Sequence, residues 1–243
     1  MKPTDIIHES WSPLLGELYQ EQLLKLNTEV LPNCISYPQK ENIFRVFRMP
    51  LSAIKVVIIG QDPYFIPDLA NGLAFAVNEN TKVPASLRNI RKELIDSEMI
   101  SLHSAHAGNW QTLEHWEEQG VFLLNTALTV ESGKPGSHLL YWGNFIKKVV
   151  FFIAKNNHPV WLLWGRKAQS FELNMPSKEI YRVKGYTKET IAEIPINPHW
   201  NYVLKGSHPA AESYSSNAGF FGCNHFYHVN KILDLKGQKQ IHW

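Results

Sequence analysis

The stretch KVVIIGQDPYF, residues 55–65, runs four consecutive β-branched residues into Gly60 and then delivers Gln61, Asp62 and Tyr64 to a loop. Three more residues able to do chemistry belong to other apolar runs. Phe75 closes GLAF (72–75), Asn125 lies in VFLLNT (121–126), and His208 follows YVLKGS (202–207). A carboxylate orients or deprotonates water, or stabilises a developing cation. An imidazole donates to a carbonyl oxygen that is gaining negative charge. A buried Asn offers one acceptor and one donor, enough to pair with an imide N–H and a neighbouring carbonyl. An aromatic face stacks on a base for about 1–3 kcal/mol. The set suits hydrolysis of an N-glycosidic bond with uracil leaving as an anion, although residue types permit that reaction without singling it out. Each residue alone has an ordinary reading: an Asp-Pro turn, a core ring, an amide satisfying a strand end, a loop histidine. Placement on one rim is what would separate the two.

The elements that must supply that rim can be read from apolar patterning. Runs bounded by turn residues predict strands near 55–60, 73–77, 121–126, 159–164, 179–183 and 201–206. Helical spacing over 86–98 puts Leu87, Ile90, Leu94 and Ile95 on one face, with Ser86 as N-cap. A second helix is predicted over 109–119, stopped by Gly120. Over 142–156, Trp142, Phe145, Ile146, Val149, Val150 and Ile153 oppose Lys147 and Lys148. A last helix is predicted over about 222–235, and the first thirty residues read as helical too. Alternating strands and helices with continuously apolar strands predict an α/β domain around a mostly parallel sheet covered on both faces. Such sheets bind ligands beyond the carboxyl ends of their strands, where Gln61, Asp62, Tyr64, Asn125 and His208 fall.

Composition sets outer bounds. At 243 residues, 44% hydrophobic and 19% charged, the chain has the makings of a substantial core and is neither disordered nor a coiled coil. No run approaches the roughly 18–20 apolar residues that cross a bilayer. The opening MKPTDIIHES lacks the layout of a signal peptide, so a cytoplasmic protein is expected. Two cysteines, Cys34 and Cys223, match no zinc spacing, and no metal or cofactor motif stands out among the 11 histidines. The net charge of +2 is silent about nucleic acid.

The ordered motifs GQDPY (60–64), GLAF (72–75), FLLNT (122–126), LLWG (162–165) and HP…GFFGCNHF (208–226) resemble those of family 1 uracil-DNA glycosylases. The likeness extends to YPQKENIFRVFR (37–48) and the closing IHW (241–243), nearly the whole chain. The resemblance implies one α/β/α domain spanning 1–243 around a four-stranded, mainly parallel sheet, with no cofactor or metal. It implies that Asp62 positions or activates water and that neutral His208 hydrogen-bonds the uracil O2. Asn125 would read the base edge, Phe75 would stack on its face and Gln61 would contribute backbone contact. Tyr64 would fill the space beside C5 and so exclude thymine. Serine-rich loops grip phosphates in this family, and Ser86 in VPASL matches one. The implied partners are uracil-containing DNA, single- or double-stranded, and small acidic inhibitor proteins that mimic DNA. A monomer is expected.

Three departures from the family pattern concern DNA. Phe65 stands where a histidine is usual, and Arg166 replaces a serine after LLWG. The wedge loop reads HPAAESYSSNAG, two residues longer than usual, with Ala210 in place of a phosphate-binding serine. Glu212 occupies the wedge position counted from His208, where a carboxylate beside phosphates is physically poor. Tyr214 is therefore the candidate wedge and Arg166 a candidate phosphate contact. Two alternatives remain open on sequence: a relative excising another damaged base, and a DNA-binding scaffold that has lost catalysis.

Overall fold

Four runs of apolar residues become strands buried along almost their whole length, because helices cover both faces of the sheet they form. The computed structural model describes residues 7–101, 109–215 and 217–243, with 17–19 described by backbone alone. In chain order the strands are β1 (Ser36–Tyr37), β2 (Val56–Gly60), β3 (Val121–Asn125), β4 (Val130–Glu131), β5 (Val160–Trp164), β6 (Ile180–Arg182) and β7 (Asn201–Gly206). The α-helices are α1 (Ser12–Lys25), α2 (Ala85–Asp96), α3 (Glu114–Glu117), α4 (Leu139–Asn156), α5 (Gly165–Ser170) and α6 (His225–Leu235).

The main sheet has the order β3-β2-β5-β7-β6 and is parallel throughout, while β1 and β4 form a separate antiparallel pair. Five strands thus stand where four were implied; the extra one is β6, three residues long at the sheet edge. The register aligns Gly60 with Asn125 and Trp164 with Gly206, so neighbouring strands end at one level. Val56, Val57, Ile58 and Ile59 are wholly buried, as are Phe122, Trp161, Leu162 and Leu163. On α4, Trp142, Phe145, Ile146, Val149, Val150 and Ile153 are buried, the face that periodicity predicted. No helix among the described residues is long and apolar enough to cross a membrane.

Three sequence expectations need correction, and a fourth is refined. The run at 73–77 is a turn rather than a strand: Phe75 adopts a left-handed backbone with φ 66°. Asn71 fixes this turn, its amide donating to the Thr112 carbonyl (3.1 Å) and accepting from Leu73 N (3.1 Å). The helix predicted over 109–119 breaks at Leu113, φ 53°, into a 3₁₀ turn (Trp110–Thr112) and the short α3. Ser86 is not an N-cap: Pro84 precedes α2, and Ser86 is the second helical residue. The amino-terminal helix is α1 followed by a π-helical turn (Leu26–Val30); residues 1–6 of that expectation lie outside the described residues.

Candidate active site

The cleft beyond the carboxyl ends of β2, β3 and β7 has a volume of about 850 Å³. It is lined by Gln61, Asp62, Tyr64, Phe75, Ser86, Asn125, His208 and Tyr214, which sequence singled out, and by Phe65, Ile66 and Pro84. Arg166 is the exception among the candidates: it lies exposed on α5 and does not line the cleft.

Asn125, the last residue of β3, is 4% exposed, yet its side-chain amide hydrogen-bonds to none of the described residues. An amide left unpaired at the cleft wall is free to offer its donor and acceptor to a ligand edge. Its position depends on Gly60 opposite. A Cβ there would fall on Asn125 Oδ1 and press on Ala74 Cβ, so only glycine lets the amide lie across the end of β2.

Asp62 is held through both carboxylate oxygens. Oδ1 accepts from Gln61 Nε2 (3.1 Å) and Oδ2 from the backbone N–H of Gly136 (2.5 Å). Burial raises its pKa above the usual carboxylate value; the Gly136 N–H, the nearby Lys167 charge and the Gln61 amide oppose that rise without cancelling it. The Gln61 carbonyl accepts from Thr126 Oγ1 (2.7 Å) and Ala127 N (3.0 Å), which sews the loop after β2 to the loop after β3.

His208 caps the 3₁₀ turn Pro209–Ser213, its Nδ1 accepting from Ala210 N at 3.1 Å. A neutral imidazole that accepts at Nδ1 carries its proton on Nε2. Burial lowers the His208 pKa, so the ring stays neutral where an exposed histidine would begin to charge. The loop thereby fixes the tautomer, and burial favours the neutral ring. Gly165, with φ 83°, makes room, since a Cβ would lie 3.0 Å from His208 Cβ.

The ring of Tyr64 is pinned at its tip. Its hydroxyl donates to the Phe75 carbonyl (3.1 Å), leaving Ser86 Oγ (3.0 Å) to donate to the phenol oxygen. Burial pushes the Tyr64 pKa up to about 12, so the phenol keeps its proton. Phe75 packs edge-on against Trp164 (centroids 5.6 Å) and near His208 (5.8 Å). A left-handed backbone costs a non-glycine residue roughly 1–2 kcal/mol, and such strain tends to sit at functional sites. Trp164 is itself anchored, its Nε1 donating to His225 Nδ1 at 3.0 Å.

A family model described as "Uracil DNA glycosylase superfamily" matches residues 48–234. The chain belongs to that superfamily. It is 39% identical over 244 residues to a uracil-DNA glycosylase of Azobacteroides pseudotrichonymphae genomovar. CFP2, with 98% of each chain covered. A uracil-DNA glycosylase of Fusobacterium nucleatum is 38% identical over 244 residues, covering 98% of this chain and 96% of that one. The crystal structure of mimivirus uracil-DNA glycosylase shares the fold, with TM-score 0.78 at 24% identity over 100% of this chain and 89% of the other.

Sequence reasoning missed two glycosylase residues that hold Asp62 in its present state. Gly136 acts through backbone alone, so no side-chain signal could reveal it; only the turn-rich GKPGS (133–137) marked the place. Lys167 lies on α5, two residues past the LLWG motif, and acts across space rather than through contact.

Proposed function

We propose that this glycosylase flips uracil out of DNA into the cleft and hydrolyses its N-glycosidic bond, leaving an abasic site for base excision repair. Asp62, held acceptor-first by Gln61 and Gly136, takes the attacking water and faces the sugar as positive charge develops on it. The Nε2–H of neutral His208 donates to the uracil O2 as the base leaves with the bonding electrons. Asn125 pairs with the base edge, Phe75 stacks on the base, and Gln61 contributes backbone contact. Cytosine would set its amino group against the donor of Asn125, leaving buried groups unpaired.

Tyr64 supplies exclusion rather than attraction. Because its hydroxyl is tied to Phe75 and Ser86, the ring cannot swing aside to admit a methyl at C5. The Ser86 hydroxyl is thereby committed inside the protein, so we assign phosphate contact at this corner to backbone N–H groups in the first turn of α2, which has no side-chain cap. Arg166 would contact phosphate further along the strand. Tyr214, 87% exposed at the cleft edge, would enter the base stack as the wedge.

We take residues 1–243 as a single glycosylase domain acting as a monomer. A variant of the mimivirus enzyme, 24% identical, has been solved in complex with UGI, in keeping with a DNA-mimicking inhibitor as a second partner. The observation that carries the whole reading is the convergence of Asp62, Tyr64, Phe75, Asn125 and His208 on one cleft. The deciding experiment uses oligonucleotides with a single uracil, thymine or cytosine, in one strand or a duplex. Release of uracil alone is expected; binding without base release would favour the scaffold reading.

A further inference from the structure

Glu212 presents a puzzle that the base pocket does not resolve. A carboxylate stands where a wedge would reach into DNA, beside phosphates that would repel it. The structure turns it the other way. Its Oε1 accepts from Phe220 N (2.7 Å) and Phe221 N (3.1 Å), and its Oε2 from Ala218 N (3.2 Å). Left-handed backbone at Asn217 (φ 58°) and Gly219 (φ 91°) curls this segment so that its N–H groups converge.

The two limbs of the loop are rooted separately. Asn89 of α2 donates to the Pro209 carbonyl (2.8 Å) and to Ser213 Oγ (3.0 Å), fixing the rising limb. Glu93, four residues on along α2, accepts from Gly222 N (2.7 Å) and Asn224 N (3.0 Å), fixing the base of the falling limb. Phe220 is fully buried against Trp164, with centroids 5.3 Å apart. Between these roots, the hydrogen bonds donated from 218–221 among the described residues all end on the Glu212 carboxylate. Tyr214 projects two residues beyond it.

We infer that Glu212 is a positioning residue, tying the two limbs together so that Tyr214 stands preformed at the cleft edge. This rests on the reading of the site as a base-flipping glycosylase. A wedge on a loose loop must be ordered as it enters the stack, and that ordering subtracts from the free energy available for unstacking. A closed loop has lost that freedom already. The same contacts surround the negative charge with N–H donors from within the loop.

The test is a double-mutant cycle with Glu212→Ala and Tyr214→Ala, each assayed for uracil release from the same sequence as single strand and as duplex. Glu212→Ala is expected to lower duplex kcat/KM by about tenfold or more, the scale of losing charge-assisted hydrogen bonds, and to leave the single strand within about twofold. The double variant is expected to be no slower on duplex than Tyr214→Ala alone, because two residues acting as one unit are not additive. Glu212→Gln, keeping one acceptor oxygen, is expected to fall between wild type and Glu212→Ala, and it carries the test should the alanine variant not fold. Hydrogen exchange at Ala218, Phe220 and Phe221 is expected to quicken in both Glu212 variants. Equal loss on both substrates, effects that multiply in the double variant, or unchanged duplex rates would overturn the inference. A wild-type protein unable to release uracil even from single strands would instead overturn the glycosylase reading.

Discussion

The base pocket and the loop from His208 to Phe221 face the same cleft but are built by opposite means. In the pocket, Asn125 and the Gln61–Asp62 pair end adjacent parallel strands, and Tyr64 is locked by two hydrogen bonds onto a turn and a helix. Asn125 and Phe75 are buried, Gln61, Asp62, Tyr64 and His208 are half-buried, and a core behind them resists displacement. The loop has little core of its own; Phe220 is buried, whereas Tyr214 stands in solvent. Its shape comes from side chains reaching backbone: Asn89, Glu93 and Glu212. On the proposed reading, a pocket that rejects one methyl group needs rigidity in every direction, and a loop that enters a duplex needs only its tip held in place.

This contrast predicts that damage to the pocket harms single- and double-stranded substrates alike, whereas damage to the loop harms duplex selectively. The largest effect is expected from Asp62→Asn, a fall in kcat of about 10²–10⁴-fold with binding retained; near-normal turnover would remove Asp62 from its role. Next is Gly60→Ala, whose added Cβ would displace the Asn125 amide. Misplacement of that kind costs up to about 10²-fold, and the loss should be equal on both substrates. Selective loss on duplex would break the comparison, because it would tie a pocket residue to strand opening.

Tyr64→Ala is expected to begin releasing thymine while losing part of its uracil activity, a change visible by assaying both bases in one oligonucleotide. A variant that stays blind to thymine would mean that exclusion lies elsewhere. Smaller still is the pH signature of burial. Because burial lowers the His208 pKa, its imidazole should titrate in NMR spectra at lower pH than an exposed histidine. Activity should fall on acidification as Asp62 takes up a proton, at a pH above the ordinary carboxylate value of 3.8.

The smallest effect concerns stability. A carboxyl whose folded pKa is raised favours the fold while protonated, and that contribution is lost as pH rises through the folded value. At neutral pH the ionised Asp62 therefore opposes folding, and Asp62→Asn should raise the melting temperature slightly. Its catalytic loss and its stability gain are two readings of one buried charge. A lowered melting temperature would show that the Gly136 and Gln61 contacts outweigh burial.

The chain's linear pattern determined the strands at 56–60, 121–125, 160–164 and 201–206, because continuous apolar runs have few alternatives to a covered parallel sheet. It also set Asp62, Tyr64, Asn125 and His208 beyond the ends of neighbouring strands, since parallel strands end together. Tertiary structure alone decided the rest. The apolar run at Phe75 became a turn because Asn71 and its partners stabilise a backbone that propensity disfavours. Ser86 left the capping role to hold Tyr64, and Glu212 turned inward to meet N–H groups up to nine residues away. Those contacts depend on where separate segments meet in space, and local sequence carries no record of such distances.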